Sequence, residues 1–207
     1  MSQLYRLQKE DLPKAAEILA NAFIDDPLAC AFKELPDFKE KFTAFFQVPI
    51  TYAHKYGEVF APSKDLEGIM AWTPGHKAEM SLWRIMRSGA IKPAMQMGQA
   101  YKNIKPFVMQ TTKDRKHFMK GKDFYYLAII GVSPDHQGKG FGKRLLQAFI
   151  EHGKKNDLPL YLETETEQNA SLYQHFGFKT LNQTEMPSLN MNLWSMVRES
   201  KKNYPIK

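Results

Sequence analysis

The chain predicts an α/β fold, a mixed sheet flanked by helices, and three stretches carry that prediction. Tyr125 to Val132 is a near-continuous apolar run, the pattern of a strand covered on both faces. Gln137 to Gly142 places glycines at 138, 140 and 142 directly ahead of a segment with Phe141, Leu145, Ala148 and Phe149 at helical spacing. Leu158 to Leu162 is a second apolar run after that helix, and a short helical piece ends at Gly177. Strand, glycine turn, helix, strand, helix is the predicted order of the core from Phe124 to Phe178.

The remaining elements follow in chain order. Leu4 to Leu7 is a short first strand. Asp11 is positioned to cap the next helix, with Pro13 in its first turn and Leu12, Ala15, Leu19, Ala22 and Phe23 on its apolar face. Asp25-Asp26-Pro27 ends that helix. Phe38 to about His54 is a second helix, whose stripe of Phe42, Phe45, Phe46 and Pro49 reads as core packing first and ligand lining second. Gly57 to Ala61 and Gly68 to Thr73 form a hairpin, and Pro74-Gly75 breaks it. From about 76 to 122, glycine and proline breaks separate two or three inserted helices that carry Met80, Met86, Met95, Met97, Met109 and Met119. Thioether side chains suit a packed helical cap and equally a pliable lid over an apolar ligand. Leu172 and Phe176 are the expected inward face of the last helix, and the tail from Lys201 to Lys207 is expected to fray.

A length of 207 residues allows one domain with a sizeable core. The net charge of +7 and isoelectric point near 9.3 suit an anionic partner, whether cofactor, nucleic acid or membrane. The basic run Lys113, Arg115, Lys116, Lys120 and Lys122 lacks interleaved aromatics and reads as a solvated face, not a nucleic-acid site. One cysteine, Cys30, excludes an internal disulfide and reads as a packed thiol. Met1 to Arg6 has no apolar signal stretch, and no apolar run spans a bilayer, so the expectation is a cytoplasmic protein without membrane attachment. His136 and His175 lack metal-ligand spacing, and no metal is expected.

The glycine turn is the chemical centre. Ser133-Pro134-Asp135 ends the strand, and amides running into a helix N-terminus form an anion site to which Lys139, Lys143 and Arg144 add charge. A P-loop is excluded because Gly142 is followed by Lys143-Arg144. A dinucleotide fold fits poorly: the spacing is G-x-G-x-G, and only 44 residues follow Glu163. Glu163 lies at a strand end, on the face opposite Leu158, Leu160 and Leu162, which makes it the first candidate for a general base, with Glu165 and Glu167 as rivals. Asn169 and Tyr173 are four residues apart and share a helix face.

Gln137-Gly138-Lys139-Gly140-Phe141-Gly142 resembles the acetyl-CoA loop, Q/R-x-x-G-x-G/A, of the GCN5-related N-acetyltransferase (GNAT) family. Within that family the chain is most similar to the puromycin N-acetyltransferases, through Gly131 to Gly140, Leu162-Glu163-Thr164, and Tyr173 ahead of Phe176-Gly177-Phe178. Asp11 to Ala15, Ala22 to Asp25 and Trp194-Ser195-Met196 extend the likeness to both ends, whereas roughly 75 to 120 falls outside it. The resemblance implies a central, mostly antiparallel sheet with a helical insertion, and acetyl-CoA as cofactor. It also implies a small-molecule amine as acceptor, for instance an aminonucleoside antibiotic, handled by a monomer or homodimer. Coenzyme A would be held by Ile130, Gly131, Val132, Gln137, Gly138, Lys139, Gly140, Phe141, Gly142, Lys143, Asn169, Tyr173 and Phe176, with Tyr173 protonating the leaving thiolate and Glu163 deprotonating the amine. The alternatives are a non-catalytic acyl-CoA-binding module and, from charge alone, a nucleic-acid binder.

Overall fold

The computed structural model describes residues 4–200, so the tail from Lys201 onward lies outside the described residues. Its centre is a seven-stranded sheet in the order β1-β2-β3-β4-β5-β7-β6. The strands are β1 (Tyr5–Arg6), β2 (Glu58–Ala61), β3 (Gly68–Pro74), β4 (Tyr125–Val132), β5 (Leu160–Thr164), β6 (Lys179–Met186) and β7 (Met191–Arg198). Every neighbouring pair is antiparallel except β4 and β5. The strands β6 and β7 are additions to the sequence reading. β6 leaves much of its length exposed, so no apolar run marks it.

Eight helices surround this sheet among the described residues: α1 (Leu12–Ala22), α2 (Cys30–Lys33), α3 (Phe38–Tyr56), α4 (Leu82–Ser88), α5 (Ile91–Gln96), α6 (Ala100–Phe118), α7 (Phe141–Asn156) and α8 (Glu167–His175). β3 shows how the layers form. Its residues Ile69 and Ala71 join the core under α1 and α3, while Met70 and Trp72 join the core under α7. That is the period of two expected when both faces are covered. The inserted segment is three helices, α4 to α6, between β3 and β4. No helix among the described residues is long and apolar enough to cross a membrane.

Several local expectations are corrected. Asp11 does not cap α1; its carboxylate turns back to accept from the Gln8 amide and the Tyr5 hydroxyl, both at 2.7 Å. Cys30 is exposed, not packed. Leu172 is 49 % exposed, and the inward residues of α8 are Ala170 and Tyr173. Thr166 caps the helix, its hydroxyl accepting from the Asn169 amide, and Ala170 and Tyr173, three residues apart, share the inward face while Leu172 lies about 100° round the helix from Tyr173. β5 starts later than expected, at Leu160, because Pro159 precedes it.

Candidate active site

β4 and β5 run side by side only briefly. Tyr125 pairs with Leu160 and Tyr126 with Tyr161, and beyond these the strands part. The register of β4 against β3 slips at the same place, so that Ala71 opposes Ile129 and Trp72 opposes Leu127, with Ala128 as the extra residue. A bulge of this kind bends its strand and ends local pairing. The opening leads into a cavity of about 670 Å³ lined by Leu127 to Ile130 on one strand and by Leu162 to Thr164 on the other, with Glu165 just after it.

The glycine turn lies at the far end of β4. A single helical turn, Pro134–His136, leads into it, and Gly138 and Gly140 take φ of +75° and +84°. Side-chain-bearing residues adopt that region at a cost, so the turn calls for glycine. Gly140 stands at the N-cap of α7 and contributes no side-chain cap, which leaves the first-turn amides of a 16-residue helix without a side-chain partner. Lys139 and Lys143 are exposed beside them; Lys139 Nζ donates to the Asp135 carbonyl at 2.8 Å, and Gln137 Nε2 donates to the Val132 carbonyl at 3.3 Å. Phe141 and Gly142 open the helix, half-buried. Arg144, grouped with these by sequence, sends Nη2 to the Pro62 carbonyl at 3.0 Å.

The residues expected to follow the pantetheine arm divide. Ile130, Asn169 and Tyr173 line the cavity. Gly131 and Val132 continue the ladder with β3, opposite Ile69 and Gly68. Gly131 also lets α1 approach, since a Cβ there would meet the Phe23 ring at 2.7 Å and Leu19 at 2.9 Å. Phe176 packs half-buried against the core that contains Tyr173 and does not line the cavity.

Glu163 faces away from Leu160 and Leu162, as the alternation implies, but it is not solvated. Its side chain is 4 % exposed and accepts from Arg115 Nη1 of α6 at 3.0 Å. The guanidinium also lies 4.2 Å from the centre of the Tyr126 ring. Burial raises the Glu163 pKa above the ordinary carboxylate value, while Arg115 and the phenols of Tyr126 and Tyr161 pull it back. Arg115 is therefore a buried partner of the site and no part of a solvated basic face. Its neighbour Asp114 is also buried: its carboxylate accepts from Ser195 Oγ at 2.9 Å on β7 and from Gln110 Nε2 at 2.8 Å. Together these two residues fasten α6 to the sheet. Sequence reasoning missed both, and the available signal was a lone aspartate beside arginine inside a lysine-rich run.

Glu165 follows β5 and lines the same cavity, as does Asp26 from the segment after α1. Burial, then Asp26 and Glu163, push the Glu165 carboxyl up to about 8. Asp26 is raised too, chiefly by burial, although its Oδ1 accepts from the Leu28 amide at 3.0 Å. Burial and Glu165 raise the Tyr173 phenol, which stays protonated at neutral pH. Of the aromatic stripe of α3, Phe42 and Phe46 lie in the core and Phe45 packs against it, and all three line the cavity together with Pro49. Among the described residues no cluster of three or more His, Cys, Asp or Glu could hold a metal ion.

Residues 107–180 match the family model for the acetyltransferase (GNAT) domain. An uncharacterised N-acetyltransferase of Schizosaccharomyces pombe is 32 % identical over 181 residues, covering 84 % of this chain and 72 % of that protein. A 55-residue stretch is 33 % identical to the N-alpha-acetyltransferase RimI of Mycobacterium tuberculosis, over 27 % of this chain and 35 % of that one. Among solved structures, a histone acetyltransferase HPA2 and related acetyltransferase from Corynebacterium glutamicum superposes with a TM-score of 0.67 at 18 % identity, covering 98 % of each chain. A polyamine N-acetyltransferase of Drosophila melanogaster gives 0.62 at 13 % identity, over 94 % and 98 %. The parted parallel strands, the glycine turn at a helix N-terminus and a relative shared across most of both chains lead to one conclusion: the chain belongs to the GCN5-related N-acetyltransferase family, as an acetyl-CoA-dependent acetyltransferase.

Proposed function

We propose that the protein transfers an acetyl group from acetyl-CoA to the amine of a small molecule by direct attack. The observation that carries this reading is the cavity between the parted ends of β4 and β5, which Glu163, Asn169 and Tyr173 share. Acetyl-CoA supplies the activated acetyl group as a thioester. The turn from Gln137 to Lys143 fits its phosphates, because the first amides of α7 lack a side-chain cap and lysines stand beside them. Ile130, Gly131, Val132, Asn169 and Phe176 would border the arm that leads from those phosphates to the cavity.

Two proton transfers belong to this chain's own residues. Glu163 accepts a proton from the amine at its carboxylate, directly or through water. Burial raises its pKa above the ordinary carboxylate value, and the charge of Arg115 opposes that rise. Tyr173 Oη holds its proton until a leaving sulfur develops charge, since burial raises the phenol.

Steady release of free coenzyme A with a panel of amines tests the reading; tight acetyl-CoA binding without turnover would leave only a binding module. Tyr173→Phe should lower kcat on the order of 10²-fold with acetyl-CoA affinity intact. A change below about threefold would make Tyr173 a packing residue. Activity should fall as pH drops and Glu163 protonates, and Glu163→Gln should remove that acidic limb. A second acceptor of different pKa separates the limb from the titration of the amine itself.

A further inference from the structure

We propose that the acceptor is a monoamine on a bulky uncharged body, lodged in the chamber between α3 and the inserted helices, with its ammonium received by Asp26 and Glu165. This inference rests on the acetyl-transfer reading and narrows it to a substrate class.

The chamber carries the argument. Phe45, Phe46, Ile85, Ile104 and Phe107 give walls from three different helices, Met97 adds to them just after α5, and the volume of about 670 Å³ lies well within the range of small-ligand sites. An apolar wall recognises an apolar body and has nothing to offer a sugar, a phosphate or a second charge. Charges line the chamber at Asp26, Glu79, Glu163, Glu165 and Arg115 among the described residues. Arg115 is paired with Glu163, and Glu79 with Lys116 at 2.8 Å. Asp26 and Glu165 form no ion pair among the described residues. Two carboxyl groups with no ion pair among the described residues, lining one apolar cavity, suit a single cation and disfavour an acidic acceptor.

The groups that face Glu165 are Asp26 from the segment after α1, Glu163 on β5, Tyr126 on β4 and Tyr173 on α8, with Arg115 of α6 committed to Glu163. With its carboxyl pushed up to about 8, Glu165 holds a proton at neutral pH. An arriving ammonium displaces that proton to solvent. Cation binding must then strengthen as pH rises toward about 8 and weaken below it.

Phenethylamine, 3-phenylpropanol and 1,4-diaminobutane test this against the coenzyme A-bound protein by calorimetry, with no acetyl group present to react. Alkylammonium groups have pKa values near ~10.4, so between pH 6 and 8 both amines stay charged and any pH effect belongs to the protein. We expect phenethylamine to bind at least tenfold more tightly at pH 8 than at pH 6, 3-phenylpropanol to show no such change, and 1,4-diaminobutane to bind at least tenfold more weakly than phenethylamine at pH 8. Glu165→Gln should flatten the pH dependence, and Asp26→Asn, which keeps the oxygen that accepts from Leu28, should reduce it. Flat binding in the unsubstituted protein, or a preference for the diamine or the alcohol, overturns the inference whether or not the variants fold. If cations bind as expected while no amine is acetylated, the acetyl-transfer reading fails and the ammonium seat stands. If amines lacking an apolar body are acetylated as fast as phenethylamine, transfer stands and the chamber assignment fails.

Discussion

The two halves of this site are built from different material. The half proposed to hold the cofactor is backbone: the parted end of β4, the turn through Gly138 and Gly140, and the first amides of α7, all within one continuous stretch. The half proposed to hold the acceptor is side chains gathered from far apart, with Asp26 after α1, the phenylalanines of α3, Arg115 on α6 and Glu165 after β5. Backbone that must hold a fixed ligand constrains its own sequence, because positive φ and bare amides demand glycine. A chamber of side chains constrains only volume and polarity, which many sequences satisfy. The chain accordingly carries a familiar motif in one half and diverges in the other.

Substitutions in each half can break that contrast. The largest effect is expected from Arg115→Met. It leaves Glu163 buried without its partner, which costs about 3–5 kcal/mol for pairs so enclosed, read as a drop in urea midpoint. Adding Glu163→Gln should recover most of that loss. If it does not, α6 is held chiefly by Asp114 and Ser195 instead. Gly140→Asp comes next. It forces a side chain onto φ of +84° and sets a negative charge at the start of α7, so acetyl-CoA affinity should fall at least tenfold, about 1.4 kcal/mol, with phenethylamine binding unchanged. An unchanged affinity in a folded variant would remove the turn from the site. The smallest effect is expected from Met95→Ser at the chamber's open side, where the residue is 74 % exposed. The KM for an apolar amine should rise about two- to fourfold, up to about 0.8 kcal/mol, while acetyl-CoA affinity stays the same. If acetyl-CoA affinity also shifts, the halves are coupled and the division is wrong.

The sequence by itself determined the strand–turn–helix core, the hairpin, the first long helices, the presence of a helical insertion and the face on which Glu163 lies. Each follows from signals that act over a few residues: a period of two or of 3.6, glycine at a turn, proline at a break. Only the tertiary structure decided the rest. Arg115 looks solvated in a run of lysines, and only the packing of α6 over β5 makes it the buried partner of a glutamate 48 residues away. Leu172 looks inward by composition, yet the packing of α8 buries Ala170 and Tyr173 instead. β6 shows no apolar run because it lies at the sheet's edge with much of its surface exposed. Asp26 reads as a helix end. It reaches the cavity where Gly131 lets α1 lie close on β4, and there it adds to the burial that pushes the Glu165 carboxyl up to about 8. Burial and charge pairing depend on the whole fold, so no local pattern records them.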